Sequence, residues 1–138
     1  MKKHIYKLRV IYRDTDAEGV AYYGNYAAWT EAARSEFLRD IGFAVKKLKD
    51  ERGLLFAVRK ATTEYLLPAF YDDELRIETS LLSVGNASFV FCHEIYRDQV
   101  LINRSEIVIV CLGGENFRPK VMPDDLRAAT LPYSLEVE

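Results

Sequence analysis

Cysteine, histidine and long apolar runs are all scarce in this 138-residue chain. The two cysteines, Cys92 and Cys111, lie in separate apolar runs without a CxxC spacing, which predicts reduced, packed thiols and neither a disulfide nor a metal site. No stretch is apolar for long enough to span a bilayer, and the N-terminal lysines are not followed by the apolar segment of a secretory signal. We therefore expect a cytoplasmic protein without a metal centre.

A surplus of charge of either sign is also missing. The chain has 19 Lys and Arg against 21 Asp and Glu, a formal net charge of -2 and a pI near 5.8. Proteins that bind nucleic acid through electrostatics carry a marked basic surplus. The composition therefore predicts no nucleic-acid partner, and the length predicts one domain spanning residues 1–138.

Hydrophobic periodicity divides the chain into an early helical part and a β-rich remainder. Alternation in "HIYKLRVIY", residues 4–12, predicts a strand, and a helical stripe runs from Gly24 to Ile41, with Asn25 as the expected cap. A second helix is expected from Val45 to Arg52. Later strands are expected in "LLFAVRKATTEYLLP", "ELRIETSLLSV", "ASFVFCHEIYR" and "VLINRSEIVIVCL", and a brief helix in "MPDDLRAAT". This order indicates an α+β protein whose antiparallel sheet has the helices on one face, and apolar residues on its other face favour self-association.

The stretch "DTDAEGVAYYGNYAAW" places acidic side chains ahead of the long helix. A helix N-terminus presents unpaired backbone N–H groups and the positive end of the helix dipole. Asp14, Asp16 and Glu18 stand too far ahead of the helix for a side-chain cap, which bonds two or three residues on. An acid that faces backbone N–H donors suits acyl transfer, because one group attacks or deprotonates water while the other holds the oxyanion.

The residues "YRDTDAEGVAYYGNYAAWTEAARSEFLR" resemble the signature of the 4-hydroxybenzoyl-CoA thioesterase family of hotdog-fold acyl-CoA thioesterases, which includes the Tol–Pal-associated enzymes. The resemblance continues in "AVRKATTEYLLPAFYDDELRIET" and "FRPKVMP", so it covers most of the chain. It implies an α+β hotdog fold, in which an antiparallel sheet wraps a long central helix, and hydrolysis of acyl-CoA without a cofactor. It also implies homodimers joined edge to edge, often assembled into homotetramers, with active sites at the dimer interface.

The same resemblance assigns catalytic roles within the acidic loop. The family's catalytic carboxylate falls on Asp16, as nucleophile or general base, and its oxyanion donor on the backbone N–H of Tyr23 or a residue just beyond. Many Tol–Pal-associated members carry a histidine at the position of Tyr23, and neither His4 nor His93 is placed to replace it. The chemistry is therefore expected to depend on Asp16.

Neighbouring side chains are expected to bind the substrate. Aromatic rings beside the carbonyl favour aromatic or medium-chain acyl groups over acetyl, and the phosphates of CoA require cations. Asp14 is expected to be solvated or to pair with Arg13 or Arg34, and Glu18 to be exposed. The candidate substrate contacts are Tyr22, Asn25, Tyr26, Arg59, Lys60, Ser88, Arg118 and Lys120.

Two other functions stay open. A non-catalytic hotdog protein would bind an acyl thioester as a ligand and would tolerate the loss of Asp16. A hotdog dehydratase would need a histidine together with an acid, and the loop contains no histidine. The acyl group, and the choice between dimer and tetramer, are not determined by the sequence.

Overall fold

The computed structural model describes residues 1–135, and its elements follow the predicted order. They are β1 (His4–Arg9), α1 (Asn25–Asp40), α2 (Val45–Arg52), β2 (Leu54–Tyr65), β3 (Glu74–Val84), β4 (Ser88–Arg97), β5 (Val100–Gly113) and α3 (Asp124–Thr130), with short 3-10 turns at Tyr12–Asp14 and Leu131–Tyr133.

One antiparallel sheet contains all five of these strands, in the order β1-β3-β4-β5-β2. Strand β2 therefore skips β3 and β4 and pairs with β5, with Leu54 opposite Gly113 and Tyr65 opposite Asn103. Because β1 and β2 each have one strand neighbour among the described residues, they form the two edges of the sheet. The α+β class and the hotdog arrangement expected from the sequence are confirmed.

Helix α1 is held on the sheet by the apolar stripe that its sequence predicts. Tyr26, Trp29, Ala33 and Phe37 are buried, and the helix ends before Gly42, whose φ of +96° suits glycine. The ring of Phe37 lies edge-on to Phe91 at a centroid distance of 5.8 Å. Burying such a side chain stabilises a fold by roughly 1.5–3 kcal/mol. The stripe therefore fixes the direction in which α1 runs along the sheet.

Packing separates the core into two clusters along α1. One surrounds Phe37 and includes Phe89 and Phe91 of the sheet. The other surrounds Tyr26 and Trp29 at the beginning of the helix. Because the second cluster is well buried, the N-terminal end of α1 is anchored on the sheet and presents its backbone in a fixed direction.

Three local expectations are wrong. Strand β1 ends at Arg9 and does not reach residue 12, because the N–H of Ile11 donates to the Asp14 carboxylate and begins a 3-10 turn. Strand β2 ends at Tyr65, short of the predicted stop at Pro68. Gly24, and not Asn25, is the cap of α1, and it provides no side-chain hydrogen bond.

None of the helices within residues 1–135 is long and apolar enough to cross a membrane.

Candidate functional site

Asp16 lies in a tight turn that projects ahead of α1. The turn is closed by hydrogen bonds from the Asp16 N–H to the Val20 carbonyl, 2.9 Å, and from the Gly19 N–H to the Asp16 carbonyl, 3.0 Å. Gly19 has a φ of +80°, a conformation that favours glycine. The Glu18 N–H donates to Asp16 Oδ1 at 2.9 Å, which fixes the orientation of the carboxylate. Asp16 is exposed, and within residues 1–135 its Oδ2 accepts no hydrogen bond, so this oxygen is available for chemistry.

The acidic turn is fastened to the beginning of α1 through Asp14. The Asp14 carbonyl accepts from the Tyr22 N–H at 2.9 Å and from Asn25 Nδ2 at 2.6 Å. Its partly exposed carboxylate accepts from the Ile11 N–H at 2.9 Å, and among the described residues it forms no ion pair with Arg13 or Arg34, so the expected pairing is wrong. Asp14 therefore serves to hold the loop, and the side chain of Asn25 connects that loop to the helix.

Backbone donors at the beginning of α1 are left free beside this turn. The N–H groups of Asn25 and Tyr26 turn back to the carbonyls of Tyr22 and Tyr23. Within residues 1–135, the N–H groups of Tyr23 and Gly24 donate to no acceptor. Two free N–H groups at the positive end of a 16-residue helix are suited to hold a developing oxyanion.

Aromatic side chains surround the same helix end. Tyr22 and Tyr23 are exposed, with ring centroids 4.7 Å apart, and Tyr23 also lies edge-on to Tyr65 at 6.4 Å. Tyr26 is buried against Trp29, and burial raises the pKa of its phenol. A cavity of about 250 Å³ is lined by Ala21, Tyr23, Tyr26, Tyr65 and residues 66–68. Tyr65 and the segment after it were not among the predicted contacts, although they lie in the stretch that carries the resemblance.

The predicted cationic contacts lie elsewhere. Arg59 and Lys60 are exposed on the edge strand at a break in the β2–β5 register, and Ser88 begins β4 opposite Val110. Arg118 and Lys120 line another cavity, of about 360 Å³, together with Gly53 and Gly113 at the Leu54 end of β2. Lys120 Nζ donates to the Arg52 carbonyl at 3.1 Å. A single chain thus brings Asp16, Tyr22, Tyr23, Asn25 and Tyr26 together but keeps Arg118 and Lys120 at the opposite end of β2.

Comparisons with known proteins agree with this architecture. A family model described as the thioesterase-like superfamily matches residues 10–130. The chain belongs to the thioesterase-like superfamily. It is 40% identical, over 88% of its length and 90% of the relative, to the acyl-CoA thioester hydrolase YbgC of Escherichia coli. Two solved structures, of a hypothetical protein from Aquifex aeolicus and of a gentisyl-coenzyme A thioesterase, are each 28% identical to the chain. They superpose with TM-scores of 0.87 and 0.85, covering 92% of the chain and 98% and 99% of their own lengths.

Both histidines of this thioesterase-family chain are occupied away from the acidic loop. His4 Nε2 lies 2.7 Å from Asp40 Oδ2, at the far end of α1. His93 is fully buried, and burial, together with the charge of Arg34, lowers its pKa to about 3. The structural role that the sequence predicts for His93 agrees with this burial.

The thiols are equally remote from thioester chemistry. Cys92 and Cys111 are unpaired and buried in the sheet, and burial raises the pKa of Cys111 to about 12. Such a thiol is not a nucleophile near neutral pH. Among the described residues, no group of three or more His, Cys, Asp or Glu side chains is arranged to hold a metal ion. The acidic turn at α1 is therefore the group of described residues best suited to hydrolysis.

Proposed function

We propose that this single-domain protein is an acyl-CoA thioesterase that uses the carboxylate of Asp16 and the free N–H groups of Tyr23 and Gly24. The observation that carries the proposal is the fixed acidic turn beside two backbone donors without acceptors. The name of the Escherichia coli relative, acyl-CoA thioester hydrolase, supports the same reaction.

The reaction needs two things from this site. The thioester carbonyl oxygen accepts from the helix N–H groups, which stabilise the negative charge that develops on it. Asp16 either deprotonates a water that attacks the carbonyl carbon, or attacks it directly to form an anhydride that water then cleaves. Both routes break the C–S bond and release a free acid and the thiol of CoA.

Strand β2 supports a homodimer as the working form. It is a 12-residue edge strand whose outer side pairs with no other strand among the described residues. Its side chains include the exposed apolar residues Val58 and Tyr65, at 55% and 54% exposure. Long uncovered edges favour pairing with another strand. We infer that two copies join antiparallel through β2 and extend the sheet.

Antiparallel pairing would also explain where the cations lie. Strands rise about 3.3 Å per residue, so the two ends of β2 are about 36 Å apart in one chain. Pairing along the whole strand sets Leu54 of one copy opposite Tyr65 of the other. Arg118 and Lys120 of one copy would then lie beside the acidic turn of the second, where the CoA phosphates need positive charge. Arg59 and Lys60 would lie near the centre of this interface.

A second contact between dimers is supported by the outer face of the sheet. Half-buried apolar side chains line one end of that face: Leu55, Val90, Val108, Val110 and Leu112. Covering this surface with a second dimer would produce the homotetramer implied by the family resemblance. We also propose the cytoplasm as the location of the protein.

Thiol release from a panel of acyl-CoA substrates tests the reaction, and light scattering at assay concentration tests the assembly. We expect aromatic and medium-chain acyl-CoA to have higher kcat/KM than acetyl-CoA, because ring contacts with Tyr22 and Tyr23 add roughly 0.5–1.5 kcal/mol to binding. Tyr23→Ala should narrow this difference while its backbone N–H is kept. No thiol release from any acyl-CoA would refute the function, and a fully active monomer would refute the dimer.

A further inference from the structure

A third cavity lies under the middle of α1, separate from the aromatic cavity at the beginning of the helix and from the cavity lined by Arg118 and Lys120. It measures about 250 Å³ and opens between the helix and the β2 edge. One side of its wall is apolar and includes Phe56, Val58, Phe89 and Ile109, and polar side chains of α1 form the other side. Pockets for drug-sized ligands usually measure about 300–1,000 Å³, so this space suits a short acyl group better than a nucleotide.

Arg34 introduces a positive charge into this apolar space. The side chain is half-buried, and no carboxylate of the described residues forms an ion pair with it. Glu31 and Ser35 also line the cavity, and the negative charge of Glu31 acts on Arg34 through space, but Glu31 is exposed and its carboxylate forms no hydrogen bond or ion pair with the guanidinium. Partial removal of a guanidinium from water without a directly bonded anion is unfavourable, so this cavity favours a ligand that brings a negative charge into contact with Arg34.

A buried polar chain fixes the direction of the guanidinium. Arg34 Nη1 lies 3.3 Å from His93 Nε2, and His93 Nδ1 lies 2.9 Å from Thr79 Oγ1. Since arginine only donates, Nε2 must accept, and the Nδ1 proton is donated to Thr79. His93 is further held by its stack on Phe91, with centroids 5.7 Å apart. One N–H of Arg34 is thereby used, and among the described residues the remaining N–H groups of Arg34 donate to no acceptor.

The Arg34 cavity lies beside Phe56 and Val58, in the half of β2 that begins at Leu54. The acidic turn of the same chain lies at the Tyr65 end of the strand. In the antiparallel β2 pair, the two copies keep their helices on the same face of the sheet. The Arg34 cavity of one copy then lies beside the acidic turn of the other. An acyl group whose thioester lies at Asp16 of one subunit can therefore enter the cavity of its neighbour.

We propose that Arg34 is a specificity-determining residue that binds a carboxylate at the distal end of the acyl group, so that the protein favours ω-carboxyacyl thioesters. The apolar walls hold the methylene chain, and the guanidinium pairs with the terminal carboxylate. This inference depends on the thioesterase function and on the β2 dimer proposed above.

Adipoyl-CoA and hexanoyl-CoA test the proposal, since they have the same carbon number and differ only in the terminal carboxylate. We expect the adipoyl-to-hexanoyl ratio of kcat/KM to fall about 10–100-fold in Arg34→Met, the range for hydrogen bonds to charged groups. Arg34→Lys keeps the charge and should retain part of the ratio, which also covers the case in which the methionine variant folds poorly. Arg39→Met is the matched control, because Arg39 is exposed on the same helix and pairs with Glu36.

Mixing inactive variants tests the contribution of the second copy. Asp16→Asn and Arg34→Met homodimers should each hydrolyse adipoyl-CoA poorly. After random mixing in equal amounts, about half of the dimers are mixed and each has one intact site, so the mixture should recover about a quarter of the wild-type sites. No recovery in confirmed mixed dimers would overturn the shared site.

Two other results would overturn the specificity. One is an unchanged substrate ratio in Arg34→Met. The other is an Arg34→Met variant that dissociates into monomers but keeps the wild-type adipoyl-to-hexanoyl ratio. The role of Arg34 would then be to pair with a carboxylate of the second copy and not with the substrate. Failure to hydrolyse either substrate would count against the thioesterase function instead.

Discussion

Replacing Asp16 with asparagine separates chemistry from folding at this site. The change removes the charge but keeps the shape and an oxygen at the position of Oδ1. The Glu18 N–H, now 2.9 Å from Asp16 Oδ1, can still donate to the amide oxygen. The turn should therefore persist, with its backbone hydrogen bonds to Val20 and Gly19 intact.

The expected magnitudes follow from these contacts. A hydrogen bond to a charged acceptor contributes about 1 kcal/mol more than one to a neutral acceptor, and Asp16 is exposed, so the free energy of unfolding should fall by about 1 kcal/mol or less. For a domain of this size, such a loss corresponds to a decrease in Tm of roughly 2–8 °C. Turnover should fall at least about a hundredfold, the lower end for a positioned acid or base.

Thiol release from the best acyl-CoA, measured together with thermal unfolding, checks both parts. Asp14→Asn is the matched control, because the Asp14 carboxylate accepts from the Ile11 N–H and holds the loop. Its turnover should stay within a few-fold of wild type. Near-wild-type turnover in Asp16→Asn, or an equal loss in Asp14→Asn, would refute the assignment of Asp16 as the reactive group.

Three further predictions concern the support of the site and its surroundings. Asn25→Ala removes the 2.6 Å hydrogen bond to the Asp14 carbonyl and should lower kcat with little change in Tm, and unchanged kcat would argue against a role in positioning the loop. Cys92→Ser combined with Cys111→Ser, or chelator treatment, should spare the activity of the folded protein, and zinc-reversible inactivation would contradict this. Burial holds the pKa of His93 at about 3, below its ordinary 6.5, so the unfolded state binds one more proton between these values and stability falls as pH is lowered through that range. Urea unfolding of His93→Gln should show a shallower dependence on pH, and an equally steep one would contradict the reasoning.

The sequence predicted the bounds of an element well where those bounds depend on residues that are close together in the chain. The bounds of α2 are confirmed, because Gly53 takes a φ of +61° at its end, as the helix stop required. Strand β3 is confirmed over Glu74–Val84, and its buried residues alternate in the first half of the strand, at Leu75, Ile77 and Thr79. The end of β1 was missed because it depends on one side chain, Asp14, which takes the Ile11 N–H out of the strand pattern.

The acidic turn and the helix end were also predictable together, because residues 14–25 are close in sequence and a short loop must bring them together. The positions of the cations were not, since they depend on the order of strands in the sheet. Strand β2 precedes β3 in the chain yet pairs with β5, and nothing in the periodicity of either strand specifies this partner.

The strand order determines where the acidic turn and the cations lie relative to each other. It puts β2 at the edge, with the acidic turn near Tyr65 and the cations Arg118 and Lys120 near Leu54. A ligand as long as CoA needs both the reactive carboxylate and positive charge, and one chain holds them at opposite ends of a strand about 36 Å long. Antiparallel pairing of two β2 edges would bring the carboxylate of each copy beside the cations of the other, so that one two-fold axis creates two complete sites. This gives a physical reason why β2 has no outer strand neighbour among the described residues of a single chain.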